Sequence, residues 1–234
     1  MPRSTHLVVT ARSMEDLQAL KPKIEGWLKE RGLQLNAEKT RIVSILDGFD
    51  FLGFHIQHFN GKCLTKPQKA KVLSFVAKLK EWLRTHPSIS PEVIIHRLNP
   101  ILTGWANFYK HASSKRIFGY VDNQIWNAIW RWCLRRHPNK GKGWVKRKYF
   151  TSFKGRQWSF FARASDSCGS DKIVYLAKIS DVKIKRHTKV KGTASPDDPS
   201  LNEYWAKRRV KSKMTPQAVQ DVLPTNWRLE LIEG

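Results

Sequence analysis

The sequence predicts an α+β protein in which a short α/β segment is followed by three helices and a basic appendage with short strands. Three observations predict this class. In the first segment, apolar residues form strand-like runs that are separated by turn dipeptides. In the second segment they recur at helical spacing, and in the third segment they form short runs among glycines and cations. The predicted segments are residues 1–65, 66–137 and 138–210, with a tail at 211–234.

The first segment is predicted to be β-α-β-β with a short trailing strand. Its helix begins at Ser13, a good N-cap residue with Asp16 three positions later, and ends at Gly32. Asp-Gly and Asn-Gly dipeptides mark the turns between later strands. Apolar residues occur on both faces of the second strand, which predicts that it is buried. The predicted strands are residues 6–10, 41–46, 49–59 and 62–65.

Three helices are predicted in the second segment, because the apolar period changes to about 3.6 residues. The first helix carries an apolar stripe across residues 72–83. The second begins at Ser90 and Pro91, an N-cap followed by proline at the first helical position. Pro100 is expected to kink this helix or split it in two. The third helix spans roughly residues 114–136.

The aromatic and cysteine content indicates a folded protein without a disulfide framework. Hydrophobic residues make up 41% of the chain and aromatic residues 11%, which is too much for a basic disordered tail. Trp126 and Trp130, at helical spacing, are expected in the core. The three cysteines form no Cys-x-x-Cys pair, so we expect no zinc site and a reducing, cytoplasmic environment. They are Cys63, Cys133 and Cys168.

The net charge indicates a polyanionic partner. Lys and Arg number 43 against 19 Asp and Glu, which gives 43 − 19 = +24. A polyphosphate is the expected partner, because cations that meet phosphates release condensed counterions. An anionic membrane is the alternative, but no run of about 18 apolar residues exists that could span a bilayer. The first residues also lack the apolar region of a signal peptide.

The cations that are candidates for RNA contact cluster around the start of the third segment. There, lysines and arginines alternate with aromatic residues that could stack on unpaired bases, among them Trp144, Tyr149 and Trp158. We expect a chain lacking residues 138–164 to keep its helices and lose RNA affinity. The candidate RNA-binding residues are Arg135, Arg136, Lys140, Lys142, Trp144, Lys146, Arg147, Lys148, Lys154 and Arg156.

Four blocks resemble the C-terminal part of group II intron reverse transcriptases. GLQLNAEKTRIV at residues 32–43 and FDFLGFHI at 49–56 are similar to the last motifs of the palm in that family. LNPILTGWANFYKH at 98–111 and HPNKGKGWVKRKYF at 137–150 are similar to the maturase-specific domain, also called domain X or the thumb. The resemblance implies a palm remnant at the first segment, a three-helix thumb, and a basic RNA-binding region.

The catalytic motif of that family is not matched. In the family, a Tyr-Ala-Asp-Asp motif precedes a strand that is similar to Leu7–Ala11 here, so Thr5 and His6 stand where the two aspartates would be. Two-metal phosphoryl transfer needs adjacent carboxylates that hold two cations about 4 Å apart. We therefore expect no catalytic, metal or cofactor site in this chain, with Mg²⁺ bound only by the intact family enzyme. Residues 211–234 contain no Cys or His, so we also expect no HNH nuclease.

The resemblance implies a maturase module that binds group II intron RNA and assists its folding and splicing, without polymerase activity of its own. A DNA target and a separate palm and fingers polypeptide are further possible partners. The expected location is the bacterial cytoplasm and nucleoid, or an organelle. Three alternatives stay open: an inactive mobile-element remnant, the C-terminal half of a split RNA-directed DNA polymerase, and a nucleic-acid binder no longer linked to introns.

Overall fold

The computed structural model describes residues 7–37, 40–165, 171–185, 190–192 and 194–211. The chain divides into two units, residues 1–186 and 187–234. The described part of the first unit contains five helices and two antiparallel sheets, each of three strands in chain order. The elements in chain order are helix α1 (Met14–Lys29), strands β1 (Phe49–Phe51), β2 (Phe54–Phe59) and β3 (Lys62–Pro67), helices α2 (Lys69–Thr85), α3 (Pro91–Tyr109), α4 (Lys115–Arg136) and α5 (Lys142–Tyr149), strands β4 (Phe150–Phe153), β5 (Arg156–Ser165) and β6 (Asp171–Tyr175), and the 3-10 turn Ile179–Asp181.

Helix α1 forms as predicted, but it buries none of its residues. The Ser13 Oγ accepts a hydrogen bond from the Asp16 backbone N–H at 3.1 Å, and Gly32 adopts a φ of 67° that ends the helix. Trp27 is 55% exposed although it belongs to the apolar stripe. The cap and the period therefore determine this helix locally, while the other members of its apolar face, Leu17, Leu20, Ile24 and Leu28, are only partly buried.

Two predicted strands are not formed, which corrects the β-α-β-β prediction. The described residues 7–10 and 41–46 are irregular, and Leu7 and Leu46 are 61% and 64% exposed. The prediction that residues 41–46 are buried was wrong. A strand needs a neighbour that pairs with its backbone, and His58 N–H donating to the Ile45 carbonyl at 2.8 Å is an isolated contact. Thr5, His6 and Lys39 lie outside the described residues.

Strands β2 and β3 form the predicted hairpin at Asn60-Gly61, and the trailing strand extends to Pro67. The predicted strand 49–59 is instead divided at Leu52-Gly53 into β1 and β2, which pair with each other. The sheet packs against α3 through Phe54, whose ring lies 5.2 Å from that of Phe108 and 5.1 Å from that of Tyr109. The Tyr109 hydroxyl donates to the Gly53 carbonyl at 3.2 Å. Gly53 has a φ of 84°, and a Cβ there would lie 3.1 Å from that hydroxyl. The Phe-Leu-Gly-Phe turn thus needs its glycine.

Helices α2, α3 and α4 form the predicted three-helix bundle. Pro100 does not split α3, because it lies on the exposed side while Leu98 and Leu102 are buried. Ser90 caps this helix as predicted, accepting from the Val93 N–H at 3.3 Å. The most deeply buried side chains of the bundle are Leu83, Ile94, Ile95, Leu98, Leu102, Phe118, Val121, Ile129, Trp132 and Cys133.

The third segment belongs to the same core. Val145, Tyr149, Phe160 and Ile179 are at most 5% exposed and join the cluster formed by the bundle. Polar contacts add to this, since the Asp122 carboxylate accepts from the Ile179 and Ser180 N–H groups at 2.8 and 2.9 Å. Removal of residues 138–164 would therefore expose the core face of the bundle, so this packing argues against the prediction that the helices survive the deletion.

Local structure in the third segment partly follows the predictions. Short strands are present as predicted, with residues 158–161 in β5, but residues 142–149 form helix α5, which the sequence analysis did not predict. Trp126 and Trp130 are half-buried and pack against the core. Burial raises the pKa of the Cys133 thiol to about 12, as befits an inert core cysteine.

The second unit contains a 3-10 turn at Pro199–Leu201 and helix α6 at Asn202–Lys211. The Tyr204 hydroxyl accepts from the Lys191 N–H at 3.0 Å, and the Trp205 indole N–H donates to the Ser195 carbonyl at 2.8 Å. These contacts tie the irregular segment before α6 to the helix.

Trp132→Ala is expected to destabilise the first unit by about 3–5 kcal/mol, because the side chain is fully buried and its indole N–H donates to the His86 carbonyl at 2.9 Å. Trp27→Ala, a change of the same size on the exposed face of α1, should change stability by at most about 0.5 kcal/mol. Urea unfolding followed by far-UV circular dichroism measures both. Equal losses in the two variants would contradict the assignment of the core.

Candidate nucleic-acid interface

Helix α5 holds four cations outward because its other face is buried. Val145 and Tyr149, four positions apart, are 0% and 3% exposed and pack into the core. Four of the six remaining positions carry cations, of which Lys146 is half-buried and the others are exposed. The α5 cations are Lys142, Lys146, Arg147 and Lys148.

Trp144 lies at the centre of a basic and aromatic cluster. The Lys148 Nζ is 4.8 Å and the Lys140 Nζ is 5.7 Å from the centre of its ring, within the range of cation–π attraction. The His137 ring approaches it edge-on at 4.9 Å. Trp144 is half-buried. The cluster therefore places two cations beside an aromatic ring that is partly open to solvent.

Two of the predicted RNA-binding residues are engaged with the protein itself. Arg136 donates to the carbonyls of Pro87 and Ile89 in the loop before α3, and its guanidinium lies 5.1 Å from the centre of the Trp132 ring. Arg156 forms a two-pronged ion pair with Asp181. The hydrogen bonds from Arg156 hold the pKa of the Asp181 carboxyl below its ordinary value. Both arginines tie loops to the core.

The other predicted residues are distributed around α5. The Lys146 Nζ lies 4.5 Å above the half-buried Trp158 ring, and the Lys154 Nζ lies 5.2 Å from the Phe153 ring in the turn between β4 and β5. Arg135 is exposed at the end of α4 and forms no ion pair with any described acidic residue. Tyr149 is 3% exposed, which leaves its ring no free face for a base.

A cavity of about 370 Å³ lies beside α5 and contains residues that the sequence did not single out. We call it the basic groove. Its walls are the start of α3, the end of α5 and the middle of β5, at residues 90–92, 147–149 and 161–163. Arg163 was not predicted as a binding residue. The alternation in β5, where Phe160, Ala162 and Ala164 are buried and Arg163 is exposed, is the signal that could have identified it.

His137 lies among the cations of this surface, and its pKa is shifted there. Its Nε2 lies 2.7 Å from the Tyr149 hydroxyl. Desolvation, followed by the charges of Lys148, Arg136 and Lys140, lowers the pKa of His137 below its ordinary value. A neutral imidazole is thus the form favoured near neutral pH among these cations.

The described residues show neither a metal-binding cluster nor a membrane-spanning helix. They contain no group of three or more His, Cys, Asp or Glu side chains that could hold a metal ion. Nor does any helix in the described ranges have the length and apolar character needed to cross a membrane.

The pKa of His137 is expected to lie below its ordinary value in the free chain and to rise in Lys148→Ala, because the neighbouring cation with the largest effect on the imidazole is removed. An NMR titration of the imidazole carbon-bound protons measures it. Lys23→Ala, which removes an exposed lysine of α1, serves as the control and should leave the value unchanged. An unchanged pKa in Lys148→Ala would contradict the described arrangement.

Comparison with known proteins bears on the same part of the molecule. Residues 72–150 match the family described as Group II intron, maturase-specific domain. The matched stretch begins within α2, includes α3, α4 and α5, and ends at the first residue of β4. No curated protein matches the chain significantly. The bundle and the helix that carries the α5 cations are thus the part of the chain that is similar to the maturase-specific domain of group II introns.

Proposed function

We propose that this protein is an RNA-binding maturase module that binds group II intron RNA and assists its folding and splicing. The observation that carries the proposal is the overlap of the family match at residues 72–150 with a surface of uncompensated cations. Among the described residues, no acidic side chain forms an ion pair with Arg135 or with the exposed α5 cations.

The physical basis of binding would be electrostatic. Because helix α5 is already packed against the core, its backbone and side chains lose little conformational freedom when its cations neutralise phosphates. The counterions that are released from the RNA also favour association. Trp144, flanked by Lys140 and Lys148, is the aromatic ring best placed to stack on an unpaired base. Because the intron RNA supplies the splicing chemistry, a protein that stabilises the folded RNA is sufficient.

We further propose that the chain has no polymerase activity of its own. Thr5 and His6 occupy the positions of the paired carboxylates in the resembling family, and neither side chain supplies the anionic oxygens that Mg²⁺ prefers. The site of action would be the bacterial cytoplasm and nucleoid or an organelle, with the DNA target of the intron as a further partner.

The test is binding of the 234-residue chain to a group II intron and to a scrambled RNA of equal length at two salt concentrations. We expect a preference for the intron that persists at the higher salt, because shape-specific contacts are less sensitive to salt than phosphate contacts alone. Equal binding that disappears at the higher salt would contradict the proposal and favour a mobile-element remnant with a basic surface.

A charge-matched pair of variants locates the surface. Arg135→Ala combined with Lys142→Ala should lower the salt dependence of intron binding by roughly two in the log–log slope, about one for each lost phosphate contact. Lys23→Ala combined with Lys29→Ala removes the same charge from α1 and should leave the slope nearly unchanged.

The N-terminal residues favour a second candidate, the C-terminal half of a split RNA-directed DNA polymerase. Helix α1 has no buried residue, and apolar side chains in the irregular segments on either side of it are well exposed. Exposed apolar surface of this kind indicates a missing partner, and extended segments without neighbours could pair with its strands. The exposed side chains are Leu7, Val8, Val9, Trp27, Leu33, Ile42, Val43, Ile45 and Leu46.

Hydrogen–deuterium exchange tests this second candidate. A polypeptide that carries fingers and palm motifs, encoded next to this chain, should slow exchange at residues 7–11 and 41–46 on mixing, and primer extension should appear in the mixture. The amides of α3 serve as an internal control. Unchanged exchange at both segments would exclude the split enzyme.

A further inference from the structure

We propose that the basic groove binds one phosphodiester of the RNA between Arg147 and Arg163, at the start of α3. This inference rests on the proposed function, because it names where on the protein the RNA backbone would be held. It adds two features to the candidate surface, namely a strand residue and the first turn of a bundle helix.

The groove brings cations from two elements to one cavity. Arg147 and Lys148 come from the end of α5, and Arg163 comes from β5, where it pairs in register with Ile173 of β6. All three are exposed. The volume of about 370 Å³ accommodates a phosphate group together with bound water.

Among the residues that the structure describes, no acidic side chain forms an ion pair with the cations of the groove. None of the ion pairs among the described residues includes Arg147, Lys148 or Arg163. Glu92 is the one acid in the lining, and its carboxylate lies 3.8 Å from the His96 Nε2 on the next turn of α3. The lining therefore carries three cations against one carboxylate, an excess that an anion would neutralise.

The walls of the groove are held in place by contacts that do not involve a ligand. Arg136 donates to the Pro87 and Ile89 carbonyls, and the Trp132 indole N–H donates to the His86 carbonyl at 2.9 Å, which ties the loop before α3 to α4. On the opposite wall, Tyr149 is buried and lies 2.7 Å from the His137 Nε2. A phosphate would thus meet a preorganised site.

The chemistry of the lining favours a phosphodiester over a free phosphate ion. Two guanidinium groups offer planar forks that suit phosphate oxygens. The half-buried side chains of Pro91 and Phe161 provide apolar surface beside them, which a ribose can contact and an inorganic ion cannot. The first turn of α3 adds a favourable dipole, but the cations carry the argument.

The experiment compares RNA binding by the full chain with two groove variants of opposite effect. Arg147→Ala combined with Arg163→Ala should weaken intron binding by about tenfold to a hundredfold and lower the log–log salt slope by about one, the value for a single phosphate contact. Glu92→Gln should instead tighten binding by about twofold, because it removes the only negative charge of the lining. A variant that had merely lost its folded structure would not bind the RNA more tightly.

The control variant removes two exposed cations from other helix positions, Lys78→Ala in α2 combined with Arg131→Ala in α4. Near-UV circular dichroism establishes that each variant is folded. An effect of the control as large as that of the groove variant, or unchanged binding in both groove variants, would overturn the inference. Absence of any RNA binding by the unaltered chain would instead reject the proposed function on which it rests.

Inorganic phosphate serves as the second probe. We expect it to displace RNA only at concentrations far above those of a short single-stranded RNA competitor, since it lacks the ribose contacts. Displacement of the RNA by inorganic phosphate at comparable concentration would assign the groove to the free ion and overturn the assignment to a phosphodiester.

Discussion

The burial of Trp132 joins the parts of the molecule on which the candidate interface depends. Its ring is fully buried at the end of α4 and packs edge-on against Tyr149 of α5 and Phe160 of β5. Its indole N–H donates a hydrogen bond to the His86 carbonyl. One side chain therefore fixes the loop before α3, the helix that carries the cations, and the strand that carries Arg163.

The position of each cation follows from this core. Val145 and Tyr149 must face inward, so Arg147 and Lys148 are left on the surface of α5. Arg136 stands one turn from Trp132 and contributes to the structure of the loop. The division between cations that stabilise the fold and cations that are open to a phosphate is a consequence of packing and not of residue type.

The N-terminal part obeys a different constraint. Helix α1 needs only its own backbone bonds and the Ser13 cap to form, so it is present without any buried side chain. The apolar segments at residues 7–10 and 41–46 have strand-like sequences, but a strand exists only beside another strand. This contrast is the reason that the bundle buries a common core while the N-terminal segments leave apolar side chains exposed.

The sequence alone determined the class of fold, the capped starts of α1 and α3, the hairpin at Asn60-Gly61 and the net charge of +24. These features depend on residues close together in the chain or on composition. Only the tertiary structure decided that Arg136 and Arg156 are occupied by protein partners, that α5 is a helix within the common core, and that Arg163 and Arg147 line the same cavity. Such facts depend on contacts between residues far apart in sequence, and local periodicity carries no information about them.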